Sequence, residues 1–367
     1  MDRLKAPQEC GQSIWLDYIR RDLIVSGQLQ KLVDDGVTGL TSNPTIFEKA
    51  ISRSDDYDDS IRSIMGSDPG VTSRDLYERL SIEDIRMAAD VLRPVYERTE
   101  GEDGYVSLEP SARLAYDTHA TVEEVRRLWT LIDRPNAMLK VPSTQPGAAA
   151  IEALIAEGIN VNVTLIFSVR QYTPVYTAYI RGLERSDNPG KVASVASFFV
   201  SRIDTYTDEE LERIGTSEAM QLRGRIAVAN AKVAYQRFCH VFRGADFAVQ
   251  RQRGARVQRV LWGSTSTKNR DYSDVLYAEE LIGRDTVNTM PPETLEAFRD
   301  HGSVAPTLER GADEADRLLE QLAELGVDFD DVTERLQSDG VQAFADSEEE
   351  LLDALEQKKQ RILTHSS

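Results

Sequence analysis

The stretch AMLKVPSTQPGAAAIEALIAEGINVNVTLIF, residues 137–167, reads as strand, helix and strand in succession. AMLKVPS (137–143) and INVNVTLIF (159–167) are near-continuous apolar runs, the pattern of strands covered on both faces of a parallel sheet. Between them, Gln145 to Ala156 has a helical pattern that stops at Glu157-Gly158, because glycine accepts the left-handed conformation that ends a helix. Outward from this unit, six more segments of the same kind recur: SIWLDYI (13–19), VTGLTSN (37–43), YVSLEPS (105–111), VASVASFFVS (192–201), RVLWGST (259–265) and DTVNTMP (285–291). Eight strands alternating with helices predict an α/β fold in which a parallel sheet closes as a (β/α)8 TIM barrel.

The 367 residues fit one such barrel domain, since this fold runs from about 200 to more than 400 residues. Residues 1–367 are therefore read as a single domain. The excursion from about 44 to 104, between the second and third strands, is read as insert helices. An acidic tail, about 305–362, shows helical spacing in EADRLLEQLAEL (314–325) and SEEELLDALEQKKQRI (347–362). Packing of this tail on the barrel is expected, with a coiled-coil partner helix as the alternative.

Lys plus Arg number 43 and Asp plus Glu 62, for a net charge of −19. That field repels nucleic-acid backbones and anionic membrane surfaces, so an anionic ligand would need locally concentrated cations. Two cysteines, Cys10 and Cys239, are too few for a disulfide framework and point to a reducing compartment, read as the cytoplasm. The N-terminal MDRLKAPQECGQSIW lacks the features of a signal peptide, and no run approaches the roughly 20 apolar residues of a membrane span. The four histidines are scattered and form no metal-binding constellation. GxGxxG after a strand and GxxxxGK[ST] are both absent, which disfavours dinucleotide and P-loop sites.

Active sites of eight-stranded barrels lie at the carboxyl ends of the strands, and polar residues collect there. Lys140 lies between Met138-Leu139 and Val141-Pro142; desolvation would lower its pKa and make it an amine nucleophile toward a carbonyl substrate. A lysine snorkelling to solvent is the alternative. Imine formation needs a proton donor and acceptor, a role for Glu109, and breaking a carbon bond beside a hydroxyl needs a base, a role for Asp17. A structural ion pair for Glu109 and a helix cap for Asp17 are the competing readings. Asn43 and Asn162 offer a donor and an acceptor each to a sugar, Thr164 can orient a water, and Ser197 can bind a hydroxyl. Pro44 gives Asn43 an independent reason as a turn opener. Arg202, after the sixth strand, and Ser266 and Lys268, after the seventh, are placed to hold a phosphate. For Arg202 the alternative is an ion pair with Asp204.

With these residues in view, TGLTSNPTIF (38–47), SLEPSARLAYDT (107–118), MLKVPST (138–144), INVNVTLIFS (159–168) and ASFFVSRID (196–204) resemble the transaldolases. The likeness runs from about Trp15 to VNTMPP (287–292). It implies a class I aldolase-like barrel that moves a dihydroxyacetone unit from fructose 6-phosphate or sedoheptulose 7-phosphate to glyceraldehyde 3-phosphate or erythrose 4-phosphate, in the non-oxidative pentose phosphate pathway. It further implies Lys140 as the Schiff-base lysine, Glu109 as an acid/base acting through water, Thr164 as the residue placing that water and Asp17 as the hydroxyl base. Asn43, Asn162, Ser197 and Phe199 correspond to substrate-binding positions and Arg202 to a phosphate-binding arginine. No metal or organic cofactor is implied, and the partners are small sugar phosphates, with a monomeric or homodimeric chain.

One departure lies after the seventh strand, where many transaldolases carry an Arg shortly after a Ser. Here the sequence reads GSTSTKN, with no Arg until Arg270, so the second phosphate contact is assigned to Ser266 and Lys268. Two rival functions remain open. A fructose-6-phosphate-type class I aldolase would use the same lysine as a lyase, but such enzymes tend to lack the Glu and to carry a Tyr on the sixth strand, where this chain has Glu109 and Phe199. A non-catalytic sugar-phosphate binder on the same fold would need no reactive lysine.

Overall fold

The computed structural model describes residues 3–365. The strands are β1 (Gln12–Asp17), β2 (Gly39–Thr41), β3 (Val106–Leu108), β4 (Ala137–Pro142), β5 (Val161–Ile166), β6 (Ser194–Phe199), β7 (Arg259–Gly263) and β8 (Thr286–Met290). Each of the eight expected segments contains one of them or all but its first residue. Neighbours in sequence pair in parallel, and β1 also pairs with β8, from Gln12↔Thr286 to Leu16↔Met290, so the sheet closes into a barrel without an edge. The helix after β4 spans Gln145–Ala156, as read from the sequence. The Thr144 side chain caps it by accepting from Gly147 N–H, and Gly158 follows at φ +83°.

The strand alternation divides the barrel interior into two ends. Trp15, Tyr105, Met138, Val195, Leu261 and Val287 form a buried apolar cluster, separate from the larger apolar layer between strands and helices. Side chains two positions apart on a strand share a face. The next inward residues are therefore Asp17, Ser107, Lys140, Ser197, Gly263 and Thr289, and the interior changes from apolar to polar within one step along the strands. Glycine is required on β2: Gly39 pairs in register with Trp15, and a Cβ on it would lie 2.4 Å from the indole ring.

The excursion before β3 folds as the helices Pro44–Ser52, Asp58–Ser67 and Ser73–Arg98. The acidic tail forms Ala312–Glu324 and then one continuous helix, Phe329–His365, longer than the 347–362 stretch whose spacing marked it. Proline is absent from it, and its single glycine, Gly340, sits where a Cβ would come within 2.8 Å of the Leu165 side chain. Close packing there outweighs the helix-weakening effect of glycine. Val341, Phe344, Leu351 and Leu355 are buried, and the helix packs against Pro44–Ser52, Ser73–Arg98 and the helix after β6. Its apolar face is thus used within the chain, across the mouth at the carboxyl ends of the strands.

That helix also reaches the one irregular strand. Between Val163 and Ile166 the β5–β6 register shifts, and Leu165 adopts φ +58°, a costly conformation for a residue with a branched side chain. The Leu165 carbonyl accepts from Ser143 Oγ at 2.8 Å and from Gln337 Nε2 of the C-terminal helix at 3.1 Å, which holds the bulge beside Thr164. For the barrel floor, Gly39→Ala should destabilise the protein by about 1–3 kcal/mol through overpacking against Trp15. Urea unfolding of the two proteins checks this, and equal midpoints would contradict the packing described.

Candidate active site

At the carboxyl ends of the strands lies a cavity of about 250 Å³, lined among others by Asp17, Asn43, Lys140, Thr164, Ser197 and Phe199, with Arg202, Ser266 and Lys268. Nine of the eleven residues singled out in the sequence therefore line one space. The other two sit beside it. Glu109, just past β3, lies with one carboxylate oxygen 3.6 Å from Lys140 Nζ; both side chains are almost wholly buried. Asn162 stands beneath the cavity: it donates to Ser107 Oγ at 3.0 Å and accepts from Ser197 Oγ at 2.6 Å. Its amide orients Ser197.

Burial pushes the Glu109 carboxyl up to about 7, against the opposing attraction of Lys140; the charges of Asp17 and Glu348 push it further up. Neither Glu109 oxygen has a hydrogen-bond partner among the described residues, nor does the buried Thr164 hydroxyl. Asp17 is also raised, by burial first, while Lys140, Thr41 and Lys268 act in the other direction. Asp17 caps no helix. Its carboxylate accepts from Thr41 Oγ1 at 2.6 Å, and Thr41 lies 2.6 Å from Thr289 Oγ1. Since the single hydroxyl proton of Thr41 goes to Asp17, Thr289 donates to Thr41, which fixes the carboxylate from two strands.

Cations also line the cavity. Arg202 is the second residue of the helix Ser201–Ile214 and stacks on the Phe199 ring, 5.6 Å from its centroid. The expected alternative partner, Asp204, is occupied elsewhere by Ala227 N–H and Tyr277 OH. Burial lowers the pKa of Arg202, opposed by Asp339. Burial likewise lowers that of Lys268, and the nearby charges of Arg202 and Lys49 add to the effect. Lys268 Nζ donates to Ser266 Oγ at 2.5 Å, so the two residues assigned to the second anion contact are together. Arg202 and Lys268 are thus desolvated cations that repel each other at the cavity wall.

Asn43 Oδ1 accepts from Ile46 N–H at 2.9 Å as a helix cap, and the residue also lines the cavity. Lining residues that were not picked out from sequence include Thr41, Thr289, Lys49 and Phe344. Thr41 and Thr289 could have been found from strand alternation, and Lys49 from the three-residue spacing Asn43, Ile46, Lys49 once Asn43 is taken as a cap. Phe344 had no such signal, because it comes from the C-terminal helix folding over the mouth. Among the described residues no group of three or more His, Cys, Asp or Glu is arranged to hold a metal ion.

The sequence model of the family described as Transaldolase/Fructose-6-phosphate aldolase matches residues 14–355. The chain belongs to this family. A protein named Transaldolase from Thiobacillus denitrificans is 50% identical over 357 residues, covering 96% of this chain and 99% of that one. A Transaldolase from Thermobifida fusca is 47% identical, with 97% and 98% covered. Transaldolase 2 from a Nostoc species is 45% identical over 96% of each. At this likeness the chain is an enzyme of the transaldolase kind, a transferase of aldehyde or ketone residues.

Glu109 has a consequence for stability. Its folded pKa of about 7 lies above the ordinary 4.5, so the native state binds more protons than the unfolded state between those values, and this group's contribution falls as pH rises through that window. Glu109→Gln should therefore gain stability relative to the parent from pH 4.5 to about 7, with a constant difference above. Urea unfolding across that range checks it; a difference independent of pH would contradict the burial assigned to Glu109.

Proposed function

We propose that Lys140 forms a Schiff base with the carbonyl of a ketose phosphate, fructose 6-phosphate or sedoheptulose 7-phosphate, and that the three-carbon fragment left on it passes to glyceraldehyde 3-phosphate or erythrose 4-phosphate. The observation that carries this reading is Lys140 Nζ at 3.6 Å from a buried Glu109, in a cavity that Arg202 and Lys268 also line.

The neutral amine adds to the ketose C2 carbonyl, giving a carbinolamine. Glu109, its carboxyl pushed up to about 7 by burial, gives a proton to the departing hydroxyl through a water oriented by Thr164. Water leaves, and the iminium forms. Asp17 takes the proton of the C4 hydroxyl, the C3–C4 bond breaks, its electron pair moves into the iminium to give an enamine, and an aldose phosphate departs. The enamine then attacks the acceptor aldehyde, the same steps run in reverse, and hydrolysis frees the new ketose. Arg202, Lys268 and Ser266 hold the phosphate, while Asn43 and Ser197 hold hydroxyls and Asn162 orients Ser197.

Supporting a cytoplasmic setting are the strongly acidic composition and two unbridged cysteines; no described helix is long and apolar enough to cross a membrane. Small sugar phosphates are its partners in this reading, without nucleic acid or membrane, and the chain works as a monomer or homodimer.

With fructose 6-phosphate and erythrose 4-phosphate together, a seven-carbon ketose phosphate should form; with the donor alone, release of free dihydroxyacetone should be slow. Rapid release without acceptor would instead identify a lyase. Arg202→Ala should raise KM for the donor roughly ten- to hundredfold, the weight of one or two charge-assisted hydrogen bonds, with a smaller change in kcat. An unchanged KM would remove Arg202 from the phosphate site.

A further inference from the structure

At the opposite mouth, where the strands begin, lies a second cavity of about 1070 Å³. Its apolar floor includes Tyr105, Met138 and Val195, members of the interior cluster described above. Six arginines line it, 98, 243, 251, 256, 259 and 284, against three carboxylates, Glu102, Asp103 and Asp285. In a chain of net charge −19, such a local excess of cations is selective and not a sample of the surface.

The arginines divide into two sets. Arg259 donates to Ser13 Oγ at 2.8 Å and approaches Asp103 at 3.5 Å, and Asp103 is fixed by Trp15 Nε1 at 2.7 Å. Arg243 and Arg284 share Asp285, at 3.2 and 3.8 Å, and Arg243 also reaches Glu309 at 3.5 Å. These three are neutralised within the protein. Arg251 and Arg256 instead donate to backbone carbonyls, of Phe242 and Glu100, which orients each guanidinium without cancelling its charge. Arg98 is exposed. Among the described residues no carboxylate comes within ion-pairing distance of Arg98, Arg251 or Arg256. Gln12 also lines the space; it is held from the protein side, its Nε2 donating to the Leu281 carbonyl at 2.6 Å and to Thr286 Oγ1 at 3.0 Å.

Uncompensated guanidinium forks over an apolar floor, in a space of small-molecule size, match the requirements of an anion pocket. We propose that this mouth binds a small metabolite carrying two or more anionic groups, phosphate or carboxylate, with Arg98, Arg251 and Arg256 as its counter-charges. An extended polyanion such as nucleic acid does not fit, because the overall field repels it.

The test uses full-length protein carrying Arg202→Ala and Lys268→Ala, which removes anion binding at the other mouth. Inorganic pyrophosphate, ATP and citrate are titrated by calorimetry at low ionic strength; the three distinguish a compact phosphate, a nucleotide and a polycarboxylate. Saturable one-to-one binding of at least one is expected, weakened at least roughly tenfold when Arg98→Ala and Arg251→Ala are added, the weight of a charge-assisted hydrogen bond. Both added sites are exposed, and an unchanged thermal midpoint verifies folding. The absence of saturable binding for all three probes, or binding that the arginine substitutions leave intact, would overturn the proposal.

Discussion

Everything at the carboxyl end of this barrel depends on a lysine and a glutamate buried together, Lys140 Nζ and Glu109 Oε2 at 3.6 Å. Two charges taken out of water are costly unless they meet, and the low-dielectric surroundings that make them costly also strengthen their interaction. Neither Glu109 oxygen has a hydrogen-bond partner among the described residues, so the geometry of the pair rests on the backbone that carries it. β3 and β4 are neighbours in a sheet with no edge. Barrel closure therefore supplies the rigidity that a loop-borne site would lack.

Around this pair the protein separates its tasks by position. Below is a packed apolar layer centred on Trp15, Met138 and Leu261, which excludes water from the interior. At the level of the lysine come hydroxyl and amide networks, Thr289–Thr41–Asp17 and Ser197–Asn162–Ser107, whose protons are directed by pairing so that each acid or hydroxyl has one orientation. Beyond them stand the cations Arg202, Lys268 and Lys49. The C-terminal helix, packed across the mouth, adds Phe344 to the wall and Gln337 to the bulge beside Thr164.

Strand positions and site residues on strands were legible in the sequence because both depend on local pattern. A parallel strand must be apolar on two faces, so Lys140 in AMLKVP and Asn162 in VNVTLI are conspicuous exceptions. What was not legible is what depends on tertiary folding. Nothing in Phe344 or Gln337 distinguishes them from other residues of an acidic amphipathic helix until that helix is docked. The hydrogen bonds of Asn162 to Ser107 and Ser197 appear only when β3 and β6 are brought to either side of it. Arg202 had a plausible partner two residues away in Asp204, and only the positions of Ala227 and Tyr277 reveal that this partner is already taken.

The central claim is that Lys140 becomes covalently attached to substrate. Reduction with borohydride in the presence of fructose 6-phosphate, followed by proteolysis and peptide mass measurement, tests it directly. The account predicts a single adduct, with the mass of a reduced three-carbon or six-carbon sugar unit, on the peptide containing Lys140, and none in Lys140→Ala. An unmodified Lys140, or an adduct confined to another lysine such as Lys49 or Lys268, would contradict it.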